Sequence, residues 1–266
     1  MPKNKIQRPK ALLYIGDLHA GAKSAVACKF ESADEDEPPL VPSKRQRELY
    51  LKLKELEGMC KVIALRHDLI LCVGADCVDG YHHHGSNTWG TPDDQRQLAV
   101  RLLMPFANMA TAIYGLLGTE SHVGIEGNDD KAVVRELGGK SAQRFVFDHD
   151  GVLIDWTHHI NCMKYPAQNV IMSVRDECVR TGDPLPSIII RHHIHRYDHN
   201  ERNILYGGEL KRIQAAICPC WKLPDPFTRK VAPTTFPDIG ALLVYPHEEK
   251  ITPILFNYKK DTVTKL

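Results

Sequence analysis

Two short pairs of side chains, far apart in the chain, carry the chemistry of a metal site. Asp17 and His19 flank Leu18 in YIGDLHAG, and His193 and His195 flank Ile194 in IIIRHHIHRYD. In an extended segment, residues i and i+2 point to the same face. Each pair can therefore aim at one point just beyond an apolar, strand-like run. Between them, LILCVGADCVDG delivers Asp76 and Asp79 into a glycine-flanked turn, and IDWTHH ends in His158 and His159. Such a mixed carboxylate and imidazole set suits Mn, Fe, Zn or Ni. It disfavours an all-oxygen Mg or Ca site and a thiolate zinc site.

The elements that must position these residues follow from periodicity. Residues 11–15, 67–73, 112–117 and 187–190 read as buried strands, each running into one of the motifs. Helical spacing covers 43–66, with Leu49, Leu53, Leu56 and Ile63 on one stripe. Thr91-Pro92-Asp93-Asp94 is a helix start with a hydroxyl cap and Pro at the first helical position, and that helix runs to about Ala110 with Pro105 kinking or shortening it. Asn128 caps a short helix ending at Gly138-Gly139. Residues 144–149 and 152–157 form a hairpin through Asp150-Gly151, 166–181 a helix, and 213–217, 241–245 and 251–258 the last strands. Helices alternating with strands early and hairpins late predict an α/β fold, a two-sheet β-sandwich flanked by helices. One domain over residues 1–266 is expected, with an irregular insertion at about 22–42. Five of the seven residues from Glu31 to Glu37 in that insertion are acidic, which suits a solvated loop or a flap that limits access by anions.

Composition narrows the classes. The chain has 266 residues with Lys+Arg 34 against Asp+Glu 33, a net charge of +1, so no global field advertises nucleic acid. Small basic clusters lie at Lys44–Arg47, Lys211-Arg212 and Lys259-Lys260. No apolar stretch reaches the ~20 residues that cross a bilayer. The basic N-terminus is not followed by an apolar signal segment, and a cytoplasmic protein is expected, in the host cytoplasm if phage-encoded. The eight cysteines show no CxxC and no disulfide framework; reduced, buried thiols are expected. The three tryptophans are read as packing residues.

The order of the motifs resembles the calcineurin-like metallophosphoesterases, whose signature runs GDxH, GDxxDG, GNH(D/E), a lone His, then GHxH. The matching segments are GDLH at 16–19, ADCVDG at 75–80, GTESH at 118–122, THH at 157–159 and HHIH at 192–195. The GTxxH form of the third motif is most similar to divergent phage-type members. Ala75 and His192 stand where the family has Gly, and both replacements are expected to be mild. Thr119 stands where the family has a metal-ligating Asn, leaving Thr119, Glu120 or water to serve there. His122 lies two residues beyond the family's catalytic His.

The resemblance implies a four-layer αββα fold and two divalent ions, Mn2+ first among Mn, Fe, Zn and Ni. By the same likeness Asp76 would bridge the ions. Asp17, His19 and His195 would complete one, and His158 (or its neighbour His159) with His193 the other. His122 is the implied catalytic residue, donating a proton or stabilising charge. Arg191 and Arg196 are further phosphate-contact candidates, and Tyr81-His82-His83-His84 either lines the entrance or is a solvated loop. The implied activity is metal-dependent phosphoesterase, with phosphodiesters, DNA or RNA among them, ahead of monoesters. A non-catalytic binding protein with a degraded site, motivated by Thr119, and a histidine-rich metal store are the competing classes.

Overall fold

The computed structural model describes residues 8–80, 88–123, 128–160, 164–224 and 236–257. Two sheets are present among them. The first has six strands in the order β11-β10-β1-β2-β3-β4, from Lys10–Ile15 (β1), Asp68–Val73 (β2), Ala112–Leu116 (β3), Lys140–Ala142 (β4), Ile239–Tyr245 (β10) and Lys250–Phe256 (β11). The second has five in the order β5-β6-β7-β9-β8, from Arg144–His149 (β5), Val152–Thr157 (β6), Ile188–Arg191 (β7), Asp198–Tyr206 (β8) and Glu209–Ile217 (β9). β1, β2 and β3 are mutually parallel, and so are β6 and β7.

Strand alternation builds the layers. On β1, Leu12 and Tyr14 face the second sheet, packing in one cluster with Trp156, Ile188 and Ile190. Ala11, Leu13 and Ile15 face the opposite way, onto helices Lys44–Ala64 (α1) and Pro92–Ala107 (α2) through Leu49, Leu53, Leu98 and Phe106. The second sheet's outer face, Ile189, Ala215 and Ile217, packs on Val170, Ile171 and Val174 of Pro166–Thr181 (α5). The result is helix, sheet, sheet, helix, as expected, with a core on both faces of each sheet. Each fully buried Leu or Ile contributes about 1.5–3 kcal/mol to holding those layers together.

The helix starts have local causes. Ser43 Oγ accepts from Gln46 N while Gln46 Oε1 accepts from Ser43 N, a reciprocal cap for α1. Thr91 and Asp94 make the same arrangement at α2, with Pro92 at the first helical position. α2 ends at Ala107, three residues earlier than the sequence expectation, with Pro105 in its last turn. The hairpin of β5 and β6 turns at Asp150 (φ 56) and Gly151 (φ 88), as the dipeptide predicts. Two short helices, Glu120–Val123 (α3) and Asn128–Glu136 (α4), follow β3.

Three elements were not anticipated: β4, α3 and the edge strand β8. In the insertion Ala25–Cys28 and Leu40 are buried, while the acidic stretch is mostly exposed yet anchored, since Trp89 Nε1 donates to Pro38 O at 2.9 Å and Phe30 packs on Trp89. Those anchors hold it against the approach to α2. The cysteines at 28, 60, 72, 77, 178, 218 and 220 are buried and free. Among the described residues no helix is long and apolar enough to cross a membrane.

Candidate metal centre

The motifs converge because parallel strands end together. Asp17 and His19 follow β1, Asp76 follows β2, Thr119 and His122 follow β3, His158 follows β6, and His193 and His195 follow β7. Ligand sites in open α/β sheets lie beyond such carboxyl ends. The turns that aim the side chains are tight. Asp17, His19, Ala75, Asp76, His193 and His195 all adopt positive φ, between 46° and 76°. Asp and His tolerate that region better than most residues. A cluster of strained backbone is a feature of sites where position matters more than comfort.

Asp17, His19 and His195 bring ligand-type atoms within 4.8 Å of one another. His19 Nδ1–H donates to Asp79 Oδ1 at 3.1 Å, which leaves Nε2 as a lone pair. Burial and the Lys222 charge hold the His19 pKa down at about 3, against the pull of Asp79. That lone pair faces His195 Nε2 at 3.1 Å. Asp17 Oδ1 is buried and accepts no hydrogen bond, with His195 Nε2 at 3.4 Å. Two imidazole nitrogens converging beside an unbonded carboxylate oxygen fit a divalent cation of the Mn, Fe, Zn or Ni type.

Asp76 and His158 form the adjoining part. His158 Nδ1–H donates to Gly74 O at 2.9 Å, and Nε2 lies 3.1 Å from Asp76 Oδ2. Burial pushes the His158 pKa down, but the charges of Asp76 and Asp17 overrule it and raise it to about 9. Asp76 is held below the usual carboxylate range because His158 and its neighbours outweigh its burial. A cation between these two groups would take the place of that proton. Asp17, Asp76 and His158 together make one metal-capable group, and His19, Asp76 and His122 another, so Asp76 stands between the two regions. His193 groups with His158 and His159 on the exposed side.

His122 Nδ1–H donates to Asp79 O at 3.0 Å, leaving Nε2 as the nitrogen able to exchange a proton with a ligand. Its ring stands edge-on to His19, centroids 4.6 Å apart. Thr119 is turned onto Asp76: its N–H and hydroxyl lie 2.8 and 2.9 Å from Oδ1, and the hydroxyl 2.8 Å from Oδ2. Glu120 is exposed and belongs to none of the metal-capable groups among the described residues. Tyr81-His82-His83-His84 lies outside the described residues.

Comparison with known proteins adds little. No family model and no curated protein matches the chain. Two solved structures are similar along its length. A novel archaeal phosphodiesterase is 9% identical with a TM-score of 0.43, covering 92% of this chain and 99% of its own. A metallophosphoesterase from Sphaerobacter thermophilus is 11% identical with a TM-score of 0.40, covering 94% and 89%. At these values neither likeness carries an argument about activity.

Four supporting residues were missed or misjudged in the sequence. Asp130 accepts from Asp76 N, Cys77 N and Gly118 N at 3.2, 3.0 and 2.8 Å, clamping the turns after β2 and β3 to each other. Lys222 Nζ donates to Asp79 Oδ1 at 2.8 Å from within the fold. His192, far from being a mild replacement, is fully buried, and its ring fills the space a side chain on Gly74 would need. Arg191 is not a phosphate contact. It is buried and bound to Asp155, with its Nη1 on Ile190 O and Asp155 O, because the end of β7 places it inside the sheet. Trp156 and Trp221 are fully buried packing residues, as expected. None of these supporting groups carries a sequence signature, since each acts through a partner distant in the chain.

Proposed function

We propose that this chain is a metal-dependent phosphoesterase, a hydrolase of the metallophosphoesterase kind that cleaves phosphodiester bonds at two divalent ions, Mn2+ foremost. The observation that carries it is the convergence of Asp17, His19, Asp76, His158, His193 and His195 from four strand ends in two sheets, with a buried carboxylate oxygen left unbonded among them. Asp17, His19 and His195 would hold one ion and His158 and His193 the other, with Asp76 between. Bound ions of this kind polarise phosphoryl oxygens and make a water nucleophilic near neutral pH.

The chain's own groups do the rest. Asp79 and Lys222 fix the His19 tautomer, and the Gly74 carbonyl fixes that of His158. Thr119 and Asp130 hold the Asp76 carboxylate and backbone in place. His122, oriented by the bond from its Nδ1–H to the Asp79 carbonyl, would in its imidazolium form donate the Nε2 proton to the leaving oxygen or stabilise the charge that develops there. Diesters rank ahead of monoesters on the motif resemblance, and DNA and RNA are the polymeric diesters to try.

The test is hydrolysis of bis-p-nitrophenyl phosphate against p-nitrophenyl phosphate with added Mn2+, and with Asp76→Asn as control. Mn-dependent turnover of the diester, lost in the variant, is expected. Turnover of the monoester alone makes the chain a phosphatase instead. No turnover of either ester with any metal overturns the enzymatic reading in favour of a binding protein.

A further inference from the structure

We infer that His159 adds a third imidazole to the cation position of His158 and His193, beside the shared Asp76, and that this position selects a zinc-class ion over Mn2+. The inference rests on the metal-dependent reading and adds a ligand and a selectivity to it. The three rings surround one point. Their centroids are 5.0, 5.3 and 5.5 Å apart pairwise, each ring steeply inclined to the next at 81°, 73° and 63°. One nitrogen from each lies within 4.8 Å of the others.

Apart from the shared Asp76, whose Oδ2 lies 3.1 Å from His158 Nε2, the nearby oxygen donors are directed elsewhere. The Thr119 hydroxyl is bonded to Asp76, and Glu120 is exposed outside the group. The neighbouring position is different in kind, since Asp17 joins His19 and His195 there. His158 is shared between the three-imidazole group and the Asp17–Asp76 group, so the two positions adjoin. Three imidazoles with only the shared Asp76 carboxylate favour zinc, nickel or copper, whereas two imidazoles with both Asp17 and Asp76 keep manganese competitive. His159 and His193 are exposed, so this ion loads and exchanges directly from solvent.

The full chain, stripped with chelator and reloaded with Zn2+, is challenged with a ~100-fold excess of Mn2+, and metal content is measured after gel filtration. Wild type is expected to keep one zinc per chain. His159→Gln is expected to lose that zinc with affinity lowered at least about 10-fold, since even groups behind the ligands are worth 10–100-fold. Its Mn2+ uptake and circular dichroism stay unchanged. The tetrahedral visible spectrum of the Co2+-loaded protein should weaken in the same variant. Zinc retention equal to wild type in His159→Gln, or lost only in Asp17→Asn, overturns the inference while leaving the phosphoesterase reading intact. Wild type that binds neither ion overturns both.

Discussion

His192 Nδ1 lies 3.3 Å from Asp17 Oδ2, and the opposite ring nitrogen accepts from Trp156 Nε1–H at 3.1 Å. The ring is thereby fixed in one neutral tautomer, consistent with burial lowering its pKa. It holds one Asp17 oxygen so that the other faces His195. A Cβ on Gly74 would stand 1.9 Å from His192 Cε1, so the ring fits only because Gly74 has no side chain. His192→Leu is expected to lower metal affinity roughly 10–100-fold and to cost about 1–3 kcal/mol by leaving Trp156 Nε1 unpaired. Titration calorimetry and the Trp156 indole proton shift check both. Gly74→Ala should reproduce the affinity loss by displacing the ring; unchanged affinity in both variants would show that Asp17 needs no such support.

Asp130 joins two turns through three backbone N–H groups. Asn in its place offers one acceptor oxygen and presents an NH2 to donors. Asp130→Asn should destabilise the protein by about 2–3 kcal/mol and weaken metal binding, because Asp76 hangs on the same turn. Urea melts with and without Mn2+ separate the two effects.

Arg191 gives the opposite pattern. It is bound to buried Asp155, which also pairs with half-exposed Arg144. Arg191→Met should cost about 3 kcal/mol, near the low end for breaking a buried pair because Arg144 remains. Metal affinity and turnover per folded molecule should match wild type. A selective loss of substrate affinity would instead return Arg191 to the site.

Metal-free protein should weaken in alkali. His158 goes from 6.5 to about 9 on folding, a rise worth about 3 kcal/mol. A raised folded-state pKa gives stability that is complete below pH 6.5 and lost as pH climbs through 9. Thermal melts of chelated protein should therefore fall across that window, and His158→Gln should flatten the slope. Loaded protein should lack the slope, since a ligating imidazole carries no such proton.

Much of this was legible beforehand for one reason: each motif follows an apolar run whose alternation also builds the core. Leu12 and Tyr14 facing one way and Leu13 and Ile15 the other is a pattern local to six residues. The cap residues Ser43 and Thr91 are local signals too. β8 was invisible because of its position at the sheet edge, with only Ile204 of its nine residues buried. Asp130, Lys222 and His192 look in sequence like any polar residue. Their roles arise from partners 53, 143 and 175 positions away. His158 and His159 were inseparable as neighbours until the turn buried one on Asp76 and left the other exposed.

The centre is divided between the sheets, with Asp17, His19 and Asp76 on one and His158, His193 and His195 on the other. His19 and His195 meet at 3.1 Å across 176 residues of chain. Contacts across so long a span are slow to form. A nascent or truncated chain ending before β7 lacks His193 and His195 and so holds an incomplete donor set. Metal loading would then report completed assembly, and an ion held there would act as a rivet that resists separation of the two sheets.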